Sequence, residues 1–291
     1  MTGPRPVPGP VPEMVAGLAV RRWGRTPPAP VVALFHANGD SGACWPDLVV
    51  RWTPVAHLVA VDLRGHGRSP RFSPRQLVEP GDVHVEDTVR VLTELRLPDQ
   101  PLVAVGHSLG GAALTAACAE HPGLVDALVL IDPPWDTPPV LGHRPEVGAA
   151  WVGHVTAYGL DPEGELESMR VREPAWPDVE RRAWVGSKAE VDLAYLATGS
   201  GRPSTPWTDH VPRLFTPTLV VTGDDDVLIG PDTRAVISAI DNACVEVAVV
   251  AGVGHYVRQG DPDAFHAVAD PWLRRHLTPV APVTDPGAGP S

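Results

Sequence analysis

An α/β fold with a mostly parallel central sheet is predicted by three features of the sequence. Short β-branched runs recur along the chain, helical stretches lie between them, and the runs lack polar alternation. The runs are 31–35, 58–62, 102–106, 127–131, 218–222 and 245–250. Continuous hydrophobicity is what strands need when helices cover both faces of their sheet. An earlier stretch, 17–23, alternates more and reads as an antiparallel edge strand.

Helices are predicted at 83–95, 109–120 (stopped by Pro122), 233–240 and 262–276. The alternation breaks once. From Pro133 to about Pro212 no buried strand is evident, and amphipathic pieces at 145–156, 179–186 and 190–197 are separated by Pro and Gly. This pattern predicts a helical cap over 135–210, inserted into a core formed by 14–134 and 211–277. Residues 1–13 carry five prolines, and 278–291 repeat Pro, Ala, Gly and Thr, so both ends read as flexible tails.

The chain has 291 residues, enough to bury a core without disulfide or metal staples. Its net charge of −12 disfavours nucleic acid or an anionic membrane as partner and suits a small neutral ligand. No apolar run approaches the roughly 20 residues that span a bilayer, and no signal peptide is evident, so a cytoplasmic location is expected. Cys44, Cys118 and Cys244 are widely spaced and odd in number, which suggests free thiols and no metal site.

The run at 102–105 leads directly into Gly106-His107-Ser108-Leu109-Gly110-Gly111 and then an alanine-rich helix. Such a strand, tight turn and helix present a serine hydroxyl at a helix N-terminus, where free amides favour developing negative charge. Glycine is needed two positions to either side because a β-carbon there would strike the adjoining elements. Ser108 is therefore the candidate nucleophile, with the Leu109 amide as one oxyanion donor.

A serine hydroxyl is weakly nucleophilic at neutral pH and needs a base, which in turn needs a partner to fix its tautomer. His255 follows the last predicted strand as the expected base. Asp224, Asp225 and Asp226 follow the strand before it, and Asp132 follows the run at 127–131. Ligand sites in open α/β sheets lie beyond the carboxyl ends of the strands, so all of these are drawn to one rim.

With the elbow around Ser108, the order Ser, Asp, His and the loop Asp62-Leu63-Arg64-Gly65-His66-Gly67-Arg68-Ser69, residues 15–276 resemble the α/β-hydrolase superfamily. That resemblance implies a triad of Ser108, Asp226 and His255. Asp226 is favoured because it stands three residues after the strand-ending Gly223, while Asp224, Asp225 and Asp132 remain competitors. The resemblance also makes the amide of Asn38, in His36-Ala37-Asn38-Gly39, the second oxyanion donor, with Ala37 in place of the usual glycine.

Asn38 is similar in position to the halide-binding asparagine of haloalkane dehalogenases. Those enzymes and epoxide hydrolases use an aspartate nucleophile, so Ser108 points instead to acyl transfer. The expected activity is hydrolysis of a small, neutral, partly apolar carboxylic ester or lactone, with no cofactor and no metal. Carbon–carbon bond hydrolysis, a lyase or cyclase step, and a non-enzymatic receptor are the competing readings. Five of the nine tryptophans fall in the insertion, and Trp45, Trp135, Trp151, Tyr158 and Tyr256 are candidate pocket residues.

Overall fold

The computed structural model describes residues 10–26 and 28–278. The tails expected at 1–13 and 278–291 therefore fall largely outside the described residues. An eight-stranded sheet runs in the order β1-β2-β4-β3-β5-β6-β7-β8. Its strands are β1 Glu13–Val15, β2 Leu18–Gly24, β3 Val31–Phe35, β4 His57–Val61, β5 Leu102–His107, β6 Ala127–Ile131, β7 Thr218–Thr222 and β8 Val245–Val249. The strands from β3 to β8 are mutually parallel, and β2 pairs antiparallel to β4.

The 17–23 stretch is antiparallel as expected but is not the edge. The short β1, which sequence reading missed, pairs outside it. Strands β3 to β7 are fully buried, while β8 closes the other side of the sheet with partly exposed Val247 and Val249.

Helices α1 Pro46–Trp52, α2 Pro80–Leu95 and α3 Leu109–Glu120 fall in the first half, and α9 Pro231–Ile240, α10 Val257–Gly260 and α11 Pro262–His276 in the second. The run of alanines in α3 suits its central place: all but its last residue are buried, and small side chains let it lie close to the sheet and to α2. Separate apolar clusters form on the two faces of the sheet, one under α2 and α3 and the other under α1 and α11.

Between β6 and β7 the chain forms only helices: α4 Pro145–Leu160, α5 Pro162–Arg172, α6 Asp178–Ser187, α7 Leu193–Leu196 and α8 Trp207–His210, with short 3-10 turns at 188–190 and 211–213. No helix among the described residues is long and apolar enough to cross a membrane.

Candidate active site

Strand β5 delivers the chain to Ser108, which sits at φ +48° and ψ −112° immediately before α3. A non-glycine residue in this region costs on the order of 1–3 kcal/mol, so the surroundings must hold it. The Ser108 N–H donates to the Ile131 carbonyl at 2.9 Å, and Gly110 N–H donates to the His36 carbonyl at 3.1 Å. A β-carbon at Gly106 would lie 2.6 Å from the Gly110 carbonyl carbon, and one at Gly110 would lie 2.1 Å from the Phe35 oxygen. The glycines of the elbow are thus a steric requirement, at Gly106 of the turn itself and at Gly110 of the neighbouring β3.

The loop after β8 carries His255, whose Nδ1–H donates to Asp132 Oδ2 at 2.6 Å. Asp132 is fully buried and accepts three further bonds, from Thr222 Oγ1 at 2.7 Å and from the Leu228 and Ile229 amides at 3.0 Å each. Sheet register explains the meeting. Ile131 at the end of β6 stands between His107 on β5 and Val221 on β7, so position 132 lies beside both the elbow and the end of β7. With Nδ1–H committed to Asp132, the Nε2 lone pair of His255 is left for the cavity that His255 shares with Ser108.

This arrangement corrects the expectation for Asp226. Asp226 is exposed at φ +48° and is not the partner of His255. The amides of Asp224 and Asp225 both donate to the Val253 carbonyl, at 3.1 and 3.2 Å, and Asp224 Oδ1 accepts from the Gly252 amide at 2.7 Å. The acidic run therefore ties two loops together and turns outward. What β7 contributes to the buried carboxylate is donors, from Thr222 and the 228–229 backbone.

The loop after β3 forms the opposite wall. His36 is buried, its Nδ1–H donating to the Ala37 carbonyl at 2.8 Å and its Nε2 accepting from the Leu63 amide at 2.9 Å. Burial pushes its pKa down to about 3, so it is a neutral brace between two loops. Asn38 and Gly39 line the cavity with Ser108 and Leu109. Neither the Asn38 nor the Leu109 amide has an acceptor among the hydrogen bonds of the described residues. Asp62, in the 62–69 loop, is a structural anchor: it accepts from Arg21, from the Gly42 amide and from the Arg68 amide at 2.6, 2.7 and 2.9 Å.

The shared cavity has a volume of about 350 Å³. Trp151, Tyr158 and Tyr256 line it, joined by Trp184 and Tyr195, which sequence reasoning did not place there. Trp184 Nε1–H donates to Tyr256 Oη at 3.0 Å, joining the helical segment to the loop that carries His255. Trp45 and Trp135 do not line it. Trp45 is buried beneath Arg258, whose guanidinium lies 5.2 Å from its ring, and Trp135 stacks on Trp207 at 5.4 Å. Among the described residues no cluster of three or more His, Cys, Asp or Glu is placed to hold a metal ion.

An eight-stranded sheet of this order, with a serine on a strained strand-to-helix turn and a histidine–aspartate pair at the same rim, defines a hydrolase-type α/β fold. The alpha/beta hydrolase family model matches residues 31–268, and the chain belongs to that family.

Among its relatives is a monoacylglycerol lipase of Mycolicibacterium smegmatis, 30% identical over 269 residues, which cover 87% of this chain and 90% of that one. Lipase LipV of Mycobacterium tuberculosis is 38% identical over 120 residues, a match that spans only 43% of its length and 41% of this chain. The crystal structure of E-2-(acetamidomethylene)succinate hydrolase superposes with a TM-score of 0.70 at 22% identity, covering 91% of this chain and 99% of that one, a likeness of fold.

Proposed function

We propose that the protein is a serine hydrolase that cleaves a carboxylic ester or lactone through an acyl-enzyme. The observation that carries this reading is the 2.6 Å bond between His255 Nδ1 and the buried Asp132 carboxylate, in the cavity that also receives Ser108. Ser108 Oγ attacks the acyl carbon and its proton passes to His255 Nε2. Asp132 stays ionised and holds the imidazolium that forms. The charged oxygen of the tetrahedral intermediate is stabilised by the free amides of Leu109 and Asn38, an arrangement worth about 3 kcal/mol per donor in well-studied hydrolases. His255 then protonates the leaving alcohol. Water attacks the acyl-enzyme, giving its proton to His255, and the acid product departs as Ser108 recovers its hydrogen.

Trp151, Tyr158, Trp184 and Tyr256 make one side of the cavity aromatic and apolar, which favours an uncharged acyl or alcohol group of modest size. Helices α4 and α6, which bring most of these residues, act as a cap over the nucleophile. The names of the lipase relatives agree with ester substrates without specifying one.

The test is initial rates on aryl and alkyl esters of increasing acyl length and on simple lactones, for the wild type and Ser108→Ala. Turnover of some of these that falls by about 10⁴-fold or more in the variant is expected. A folded wild type with no ester or lactone turnover would overturn the proposal.

A further inference from the structure

Two buried ion pairs hold α6 and its C-terminal continuation, and one of them, through Lys188, borders the cavity. At one end, Arg258 Nη1 meets Glu180 Oε1 at 2.5 Å and Arg258 Nη2 meets Glu180 Oε2 at 2.9 Å, with 2% and 1% of the two side chains exposed. Arg258 also donates to the Cys44 carbonyl at 2.8 Å, and Glu180 accepts from the Asp47 amide at 2.9 Å. Because Arg258 is three residues past His255, this end of α6 is fastened to the histidine loop and to the start of α1.

At the other end, Lys188 Nζ lies 2.7 Å from Asp40 Oδ1 and 2.9 Å from the Gly39 carbonyl oxygen, with 4% of the lysine and 2% of the aspartate side chain exposed. Ser187 Oγ lies 3.0 Å from the same Gly39 carbonyl and 2.7 Å from the Trp184 carbonyl, its single hydrogen shared between the two.

Lys188 borders the cavity but has nothing left to offer a substrate. Its ammonium has three N–H groups. Two face the oxygens named above, and the third side meets the Trp184 ring, whose centroid is 4.0 Å from Nζ. Its partners sit in the loop that carries the Asn38 amide. Gly39 in that loop has φ +75°, a region where glycine has the most freedom, so the loop needs pins from outside.

It receives them on both sides of Gly39. The Gly39 N–H donates to His66 Nε2 at 3.1 Å, and that ring is oriented by an Nδ1–H bond to the Arg64 carbonyl at 3.0 Å. The Gly39 carbonyl is held by Lys188 and Ser187. Inside the loop, Asp40 N–H closes a turn onto the Ala37 carbonyl at 3.1 Å.

We propose that Lys188 is a positioning residue that clamps the 38–40 loop through the Gly39 carbonyl and the Asp40 carboxylate, so that the Asn38 amide faces the substrate oxygen that gains charge. The proposal rests on the serine hydrolase reading above. It also makes α6 a fixed spacer between the oxyanion loop and the histidine loop, pinned at both ends, so substrate enters past other parts of the cap.

The test compares the wild type, Lys188→Met and the double variant Lys188→Met/Asp40→Asn, which removes the carboxylate stranded by the single change. Two rates are read: turnover of the best ester, and phosphonylation of Ser108 by a fluorophosphonate, in which Ser108 Oγ bonds to phosphorus and fluoride leaves. For both variants kcat and the phosphonylation rate are expected to fall together, by about 10- to 100-fold, somewhat less than outright loss of an oxyanion donor, while KM changes by less than about threefold.

The double variant is expected to regain melting temperature without regaining rate. Recovery of both together would make Lys188 merely structural and overturn the proposal, as would wild-type rates in Lys188→Met. Failure of the wild type itself to react with the fluorophosphonate would instead sink the serine hydrolase reading.

Discussion

The loops after β6 and β7 each hold an aspartate at positive φ, Asp132 directly after its strand at φ +37° and Asp226 four residues past the end of its strand at φ +48°. Asp132 is fully buried and accepts four hydrogen bonds, one of them from His255, whereas Asp226 is exposed. Residue type and positive φ are shared, although Asp226 stands further from its strand. The difference lies in what surrounds each carboxylate. A buried carboxylate is tolerable only where donors converge on it, and they converge where two adjacent strand ends and the returning 228–229 backbone meet.

The largest effect separating the two loops is catalytic. Asp132→Asn turns an amide toward His255 and favours the wrong tautomer, so kcat is expected to fall by about 10⁴-fold, by analogy with the same change in well-studied triads. Asp226→Asn is expected to stay within about twofold, as for an exposed side chain with no hydrogen-bond partner among the described residues. Steady-state kinetics on one ester decides, and the opposite ranking would restore Asp226 as the acid.

A histidine–carboxylate contact outside the cavity sharpens the comparison. His266 on α11 is held between Asp47 Oδ2 at 2.6 Å and Asp270 Oδ1 at 2.7 Å. Burial works against its charge, but the two carboxylates outweigh burial and raise its pKa above the usual value. The folded state therefore favours the protonated ring. Its stabilising contribution is fully present below about pH 6.5, the unfolded-state value, and is lost as pH rises through the raised folded-state value. Denaturant midpoints for wild type and His266→Gln across that window should converge as pH rises, while kcat of the variant stays near wild type. A constant gap in stability would show that His266 is not protonated in the fold.

The smallest effect concerns the acidic run itself. Asp224→Ala removes the bond from the Gly252 amide and should cost about 1 kcal/mol, whereas Asp226→Ala should change stability by less than about 0.5 kcal/mol. Equal losses in urea titrations would mean that Asp226 has a partner after all.

Much of the sheet was legible. Buried strands β3, β6 and β7 coincide with hydrophobic runs because each is covered on both faces and leaves no polar position. The elbow was legible because its glycine–serine pattern sits within one strand, turn and helix, although the clash that requires Gly110 comes from Phe35 on β3. Several short elements were not: β1, α1 and α5 have no hydrophobic pattern long enough to stand out. The pocket residues divided for a similar reason. A tryptophan looks alike in sequence whether it lines a cavity, as Trp151 does, or stacks on another ring in the core, as Trp135 does on Trp207.

Local sequence marked the buried strands, the turn that carries Ser108 and the histidine past the last strand, because each is signalled by a pattern of residues adjacent in the chain. Only the tertiary structure decided which aspartate meets His255, since that follows from the register of β5, β6 and β7 and from amides 96 and 97 residues beyond Asp132. It alone also set Lys188 against Gly39 and Asp40, about 150 residues earlier in the chain. Buried charges and acceptors choose partners by proximity in the folded core, where leaving one unpaired is costly, and sequence spacing carries no record of that choice.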